Sequence, residues 1–146
     1  MARQWQAVGV QVNLTIVPAT TFAREVLPAR AFDALLLTDR QDLDPDPFAS
    51  WHSSGRGPKG RNFSGFVNPR ADKLLEAGRA ALSPDQRVST YRDLQELLAT
   101  ELPALPLFAS TAVYVQKTSV LGQRLSFAGT PGARFWQVQD WYVKTR

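Results

Sequence analysis

The sequence of 146 residues lacks cysteine and has a single histidine, His52. The absence of cysteine excludes disulfides, thiolate metal ligands and a cysteine nucleophile, and one histidine does not suffice for a common zinc site. Long apolar runs are also missing: the run at 34–37 is strand-sized, whereas a membrane-spanning helix needs about 20 apolar residues. Residues 1–5 show neither the apolar segment nor the cleavage site of a signal peptide.

The charge balance is basic, with a formal net charge of +4, but the basic residues are scattered among acidic ones along the whole chain. They cluster only at Arg56, Lys59 and Arg61, and no helix that could enter a groove accompanies this cluster. The sequence therefore predicts no nucleic-acid partner. A hydrophobic content of 44% and a charged content of 21% are those of an ordinary globular protein.

The first third of the chain predicts an α/β fold. Residues 10–17 alternate between apolar and polar side chains, which is typical of a half-buried strand. Residues 32–37 are apolar apart from Asp33, which is typical of a strand buried on both faces. Between them, Thr20 or Thr21 can cap a helix that Pro28 closes. A strand, a helix and a second strand in succession predict a parallel strand pair in a mixed sheet flanked by helices.

Two further helices are predicted by their first residues. Asn68 followed by Pro69 is a typical helix start, and so is Ser83 followed by Pro84. The second of these helices is expected to run from Pro84 to about Glu101. Shorter strands are expected at 105–108, 112–115 and 135–143.

Between Thr38 and Asn68 the periodic pattern stops. This stretch is rich in proline and glycine, and a connection of such length inside a compact domain is usually functional or disordered. Its aromatic residues Trp51, Phe63 and Phe66 argue against full disorder. We call its main part, residues 42–68, the 42–68 loop, and predict that it faces a ligand.

Catalytic chemistry in this loop finds little support in the sequence. His52 is followed directly by Ser53 and Ser54, but the partners of a Ser-His-Asp site are normally distant in sequence, and no Gly-x-Ser-x-Gly motif is present. Residues 55–61 match neither of the two common glycine-rich phosphate-binding motifs. No catalytic residue and no cofactor are therefore predicted.

Four aspartates crowd the same region, at Asp39, Asp42, Asp44 and Asp46. A calcium loop of the EF-hand type requires Gly at its sixth position and Glu at its twelfth, and a count from Asp39 gives Asp44 and Ser50 instead. Aspartate before proline also initiates turns through hydrogen bonds from backbone to side chain. No metal site is predicted, and at least two of these aspartates are expected to shape turns.

A binding loop remains. Aromatic faces combined with amide, imidazole and hydroxyl groups suit a pocket for a small polar organic ligand. The alternative is that Trp51 and Phe66 simply anchor the loop to the core. The candidates for ligand contact in this mixture are Trp51, His52, Asn62, Phe63 and Ser64.

Taken together, the segments resemble one family, the extracytoplasmic solute-binding proteins of oligopeptide-, dipeptide- and nickel-type ABC transporters. The order and spacing hold over roughly residues 4–122. The matching segments are 5–12, 32–36, 44–48, 51–54, 62–66 with Asn68, 71–79, 86–87 with Tyr91 and Gln95, and 102–108.

The resemblance implies one lobe of a type II periplasmic-binding-protein-like fold that closes over a solute. Residues 1–121 would form the C-terminal lobe, and residues 122–146 would form a tail that returns toward the N-terminal lobe. The implied function is non-enzymatic binding of an oligopeptide or similar solute and its delivery to an ABC permease. The implied location is extracytoplasmic, in the periplasm or lipid-anchored at the cell surface, with the targeting signal outside this chain.

In peptide-binding members of this family, an acidic residue shortly before the Asp-Pro turn can pair with the amino terminus of the ligand. Counting forward from Phe32 and Asp33 points to Asp42, and counting back from Asp44 points to Gln41. We select Asp42, whose carboxylate could form a charge-assisted hydrogen bond with an ammonium group.

Two alternative functions stay open from the sequence. One is a hydrolase that uses His52 and a loop carboxylate. The other is a protein-interaction module in which the basic residues Arg56 to Arg61 contact an acidic partner.

Overall fold

The computed structural model describes residues 1–39, 44–109, 113–124, 132 and 135–144. The chain divides into two compact units, Met1–Leu35 and Leu36–Arg146. We describe each unit by itself. The predicted division into a C-terminal lobe, residues 1–121, and a tail, residues 122–146, stays a prediction.

The first unit contains two helical segments. Helix α1 spans Ala2–Ala7. The second segment is continuous and consists of α2 (Ala19–Thr21), a π-helical turn (Phe22–Val26) and α3 (Leu27–Ala29). The prediction that Thr20 or Thr21 caps this segment is wrong: Pro18 occupies the N-cap position, and no side-chain cap hydrogen bond forms there.

Pro28 lies inside this helical segment instead of closing it. A proline inside a helix lacks an N–H donor, and its ring crowds the carbonyl four residues earlier. The π-helical turn directly before it relieves this crowding, because the Leu27 N–H donates five residues back, to the Phe22 carbonyl. The regular pattern then resumes with the Arg30 N–H donating to the Val26 carbonyl at 3.0 Å.

The strands predicted at 10–17 and 32–37 do not form. Leu14 and Ile16 are 70% and 86% exposed, and Leu36 is 70% exposed. A strand is stable only when a neighbouring strand pairs with its backbone groups. Alternation of apolar and polar residues predicts a strand, but it does not provide the neighbouring strand. Among the described residues no parallel pair is present, so the predicted β-α-β pairing is corrected for this chain.

The second unit is built around two long helices. It contains α4 (Phe48–Trp51), a 3-10 helix (Ser53–Arg56), α5 (Pro69–Ala80) and α6 (Pro84–Glu101). Both predicted helix starts are confirmed. The Asn68 side chain accepts hydrogen bonds from the N–H groups of the first turn of α5, and the Ser83 hydroxyl accepts one from the Gln86 N–H.

The core lies between α5 and α6. Leu75 and Leu94 are 0% and 1% exposed, and Ala71 and Leu97 complete the buried cluster. Burial of each leucine side chain contributes about 2–3 kcal/mol. Phe48, Trp51 and Phe66 of the 42–68 loop pack against this cluster, so the helix pair is the base on which the loop rests.

A small antiparallel sheet follows near the end of the chain. Strand β1 (Val120–Leu121) pairs with β2 (Tyr142–Val143), and Val120 lies opposite Val143. Part of the predicted final strand is a 3-10 helix instead, Val138–Asp140. Residues 105–108 and 113–115 form no strand, and Phe108 is 86% exposed, because neither segment finds a pairing partner among the described residues.

Candidate ligand-binding site

Asn62 organises the described part of the 42–68 loop. Its side chain is fully buried. The amide nitrogen donates to the Phe66 carbonyl at 2.8 Å and lies 3.2 Å and 3.4 Å from the carbonyls of His52 and Trp51. The amide oxygen accepts from the Phe66 N–H at 3.1 Å and from the Ser64 hydroxyl at 3.2 Å. One side chain thus joins the two flanks of the loop.

A close backbone approach lies beside Asn62. The Asn62 N–H donates to the Gly55 carbonyl at 3.1 Å. A side chain at Gly60 would collide with the backbone of Gly55, so the turn at this point requires glycine. Close packing of two backbone segments therefore explains Gly55 and Gly60.

His52 caps the short 3-10 helix. Its Nδ1 accepts from the Ser54 N–H at 3.1 Å and lies 2.7 Å from the Ser54 hydroxyl. Because Nδ1 acts as an acceptor, the proton of the neutral ring resides on Nε2. That Nε2 is buried and lies 3.5 Å from Glu76 Oε1 and 3.9 Å from Asp72 Oδ1. The ring therefore points at two carboxylates on one face of α5.

Asp72 fastens the 3-10 helix to α5. Its carboxylate accepts from the Ser53 N–H at 2.9 Å and from the Ser53 hydroxyl at 2.6 Å. Burial by itself raises the pKa of the Asp72 carboxyl. The two hydrogen bonds from Ser53 and the electrostatic interaction with His52 outweigh burial, so the pKa of Asp72 lies below its usual value.

Phe48 stands in an aromatic and cationic stack. Its ring is parallel to that of His52, with centroids 4.1 Å apart. The Arg79 guanidinium carbon lies 3.8 Å from the Phe48 centroid. Since two groups cannot occupy the same face of one ring at these distances, the imidazole and the guanidinium cover its two faces.

The two Asp-Pro turns are held by arginines of the helix pair. Arg79 Nη2 lies 2.6 Å from Asp46 Oδ2, and Arg87 pairs with Asp44. The other Asp46 oxygen accepts from the Phe48 N–H at 3.1 Å, which is the turn-forming role predicted for these aspartates. Burial alone raises the pKa of Asp46, but the Arg79 and Phe48 hydrogen bonds overcome this and lower it.

The structure brings most of the predicted site residues together. Trp51, His52 and Phe63 are partly buried, Asn62 is buried and Ser64 is exposed. Trp51 packs against the core, as expected if it anchors the loop. The donors and acceptors of the Asn62 amide are all occupied within the loop. Asp42 lies outside the described residues. Ligand contact by these six residues stays a prediction.

Several residues that shape this site were missed in the sequence. Asp72 and Glu76 are four positions apart on α5, a spacing that places both carboxylates on one face of a helix. That signal was available, but nothing in the sequence indicates that His52 faces them. The pairing of Asp46 with Arg79 spans 33 positions and has no local signature.

A concave surface opens next to this network. Its volume is about 300 Å³. It is shaped by the turn of the glycine-rich segment over α4. The lining residues are Phe48, Ala49, Ser54, Gly55, Lys59, Gly60 and Arg61. In the part of the chain that the structure describes, no cluster of His, Asp or Glu side chains suits a metal ion. No helix there is long and apolar enough to cross a membrane.

Comparisons with known proteins point in one direction. Over 84 residues the chain is 34% identical to a protein of Pseudomonas aeruginosa strain UCBPP-PA14 named Probable di/tripeptide-binding protein 5, and this match covers 57% of the chain and 16% of that protein. Over 141 residues it is 21% identical to the oligopeptide-binding protein AppA of Bacillus subtilis strain 168, covering 96% of the chain and 25% of AppA. No family model matches the chain.

The fold agrees with these matches. The solved structure of AppA from Bacillus subtilis, in complex with a nonapeptide, superposes with a TM-score of 0.68 at 19% identity, covering 98% of this chain and 28% of that one. The chain thus spans about a quarter or less of the proteins it matches. The comparisons confirm the predicted resemblance: this chain has the periplasmic-binding-protein-like fold, and the relatives that it matches are named as di/tripeptide-, oligopeptide- and dipeptide-binding proteins.

Proposed function

We propose that this chain contributes one wall of a peptide-binding cleft, formed by the 42–68 loop, in a non-enzymatic solute-binding protein of an ABC importer. The observation that carries the proposal is the loop itself. Asn62 and Asp72 fix it onto a helix pair whose fold matches that of AppA. A loop held by internal hydrogen bonds loses little entropy when a ligand arrives, which favours binding.

A permease partner and an extracytoplasmic location belong to the same proposal. Both are supported by the resemblance to solute-binding proteins of ABC importers, together with relatives that are named as peptide-binding proteins. The test is to fractionate cells that make the full-length protein, and to measure whether that protein is exported and co-purifies with an ABC permease. Recovery of the parent protein only from the cytoplasm would contradict it.

The affinity of this chain by itself should be low. If the cleft closes between two lobes, each lobe supplies only part of the contact. A complete site of micromolar affinity has a binding free energy of about −8 kcal/mol, and half of that corresponds to a dissociation constant of ~1 mM. Millimolar binding by the chain is therefore the expectation.

The test is an NMR titration of the isotope-labelled chain with a pool of tripeptides at millimolar concentration. We expect gradual shifts of backbone amide signals in residues 44–66, in fast exchange, and none in α6 beyond its contacts with the loop. Absence of any shift in the loop would contradict the proposal. So would calorimetry that gives a micromolar constant for this chain alone.

One geometric observation favours the hydrolase alternative. The Ser54 hydroxyl, the His52 ring and the Glu76 carboxylate follow one another at 2.7 Å and 3.5 Å. However, the carboxylates lie on α5 and not on the loop as predicted, and the Ser54 N–H already binds the same Nδ1. The Ser54 hydroxyl is thus held as part of a helix cap.

Assays of esterase and peptidase activity decide between the two functions. A binding loop predicts no turnover, and the same absence in the variant His52→Ala. Measurable turnover that disappears in His52→Ala and in Ser54→Ala would establish the hydrolase.

A further inference from the structure

Both aspartates in the described part of the 42–68 loop form ion pairs with arginines outside the loop. Asp44 pairs with Arg87 of α6, and Asp46 pairs with Arg79 of α5. Neither aspartate lines the concave surface described above. The acidic residues of the turn therefore contribute little negative potential there.

Of the two basic groups at this surface, Arg61 has a carboxylate partner and Lys59 has none among the described residues. Lys59 lines the surface, and no described carboxylate lies within ion-pair distance of its ammonium group. Arg61 lines it as well and contacts Asp39 at 2.9 Å, with both side chains about half exposed. An ion pair with this degree of exposure is weak, worth about 0–1 kcal/mol, and a ligand can displace it.

The aromatic wall of the surface also favours a negatively charged ligand over a cationic one. The faces of Phe48 are covered by His52 and Arg79, so only its edge can meet a ligand. The edge of an aromatic ring carries partial positive charge, in contrast to its face. A cationic ligand would need the ring face, whereas a carboxylate oxygen suits the edge.

We propose that the concave surface formed by Phe48, Ser54, Lys59 and Arg61 is a subsite for a carboxylate group of the ligand. Lys59 and Arg61 supply the charge, and the Phe48 edge forms the apolar wall. A volume of about 300 Å³ admits one amino-acid-sized group. The carboxylate comes either from the C-terminus of a peptide or from an acidic side chain. This inference rests on the proposed peptide-binding function.

Asp39 illustrates the chemistry of the subsite. Its carboxylate already occupies part of the Arg61 guanidinium through Arg61 Nη2. It is therefore an internal competitor for any carboxylate that binds there. Its removal should strengthen ligand binding, in contrast to the effect of removing a residue that merely supports the loop.

The experiment uses three tripeptides and NMR signals of Gly55, Gly60 and Arg61. The probes are Gly-Ala-Gly as the free acid, the same peptide with an amidated C-terminus, and amidated Gly-Glu-Gly. We expect shifts with the free acid, with the glutamate peptide, or with both, and no shifts at these positions with amidated Gly-Ala-Gly. The peptide that causes the shifts identifies the source of the carboxylate, either the C-terminus or the acidic side chain.

Charge variants separate the subsite from general attraction. Lys59→Gln and Arg61→Gln should each weaken binding about threefold, as expected for exposed charged contacts. Asp39→Asn should strengthen it about twofold. Arg56→Gln removes the same charge from the same loop but does not line the surface, and should leave binding unchanged.

The outcomes that overturn the inference are distinct from those that overturn peptide binding. If all three peptides shift the same signals equally, peptide binding stands and the carboxylate subsite is wrong. If Arg56→Gln weakens binding as much as Lys59→Gln, the attraction is general and the subsite is also wrong. If no peptide shifts any signal of the loop, both proposals are wrong.

Discussion

Asn62→Asp is the most incisive perturbation of this loop. It replaces the amide nitrogen with an oxygen at nearly constant volume, so packing is preserved while hydrogen bonding is reversed. In the native chain the nitrogen faces three carbonyl oxygens, at 2.8, 3.2 and 3.4 Å. In the variant a carboxylate oxygen faces the same three acceptors without a proton between them.

The magnitude follows from these contacts. An amide group has two N–H donors, so two hydrogen bonds worth about 1 kcal/mol each are lost. The buried carboxylate adds the cost of an uncompensated charge, which brings the expected loss of unfolding free energy to about 3–5 kcal/mol at neutral pH. Asn62→Ala has the lost hydrogen bonds and a cavity but no charge, and should cost about 2–3 kcal/mol.

The dependence on pH gives the sharper test. Burial raises the pKa of the introduced carboxyl in the folded state above its value in the unfolded chain. The unfolded variant therefore releases its proton first, and the destabilisation relative to the native chain grows as pH rises from about 4. Asn62→Asp should be closest to the native chain at acidic pH, whereas the loss in Asn62→Ala should not change with pH.

The assay is urea unfolding followed by tryptophan fluorescence, with Trp51 adjacent to the site. The control is Ser64→Ala, which removes one exposed hydroxyl from the same amide oxygen and should cost less than about 1 kcal/mol. If Asn62→Asp unfolds at the same urea concentration as the native chain at pH 7, the role assigned to the amide is wrong.

Two further predictions concern the base of the loop. Gly78→Ala should destabilise the chain by about 1–3 kcal/mol, because its methyl group would collide with the Tyr91 ring. The control Gly57→Ala meets no atom and should leave the urea midpoint nearly unchanged. Equal midpoints for the two variants would refute the close approach of the helices. The pKa of Asp72 is lower in the folded chain than in the unfolded one, so its contribution to stability is present above the unfolded pKa and is lost as pH falls through the folded value. Ser53→Ala should reduce this acid-induced loss, measured as the change of urea midpoint between pH 7 and pH 3, and an unchanged difference would contradict the assignment.

Local signals in the sequence predicted the helices well. The starts of α5 and α6 at Pro69 and Pro84 were expected from their capping residues, and both caps form. A cap involves residues within four positions of each other, so its energy is decided by the local sequence. Pro28 shows the limit of this reasoning, since a π-helical turn accommodates a proline that was expected to end the helix.

These local signals could not predict which residues pair across long distances in the sequence. Alternation at 10–17 predicted a strand, but a strand also needs a partner, and no described residue pairs with this segment. The candidate site divides in the same way. The sequence identified the loop and its polar and aromatic residues, whereas the occupation of the Asn62 amide and the burial of His52 Nε2 were not foreseeable.

The sequence alone determined the helices, the position of the 42–68 loop and the resemblance to solute-binding proteins. Only the tertiary structure decided that Asn62 holds the loop together and that Asp44 and Asp46 are neutralised while Lys59 is not. The physical reason is distance along the chain. Capping and turn formation act between near neighbours, whereas the hydrogen bonds and ion pairs that shape this site join residues up to 45 positions apart.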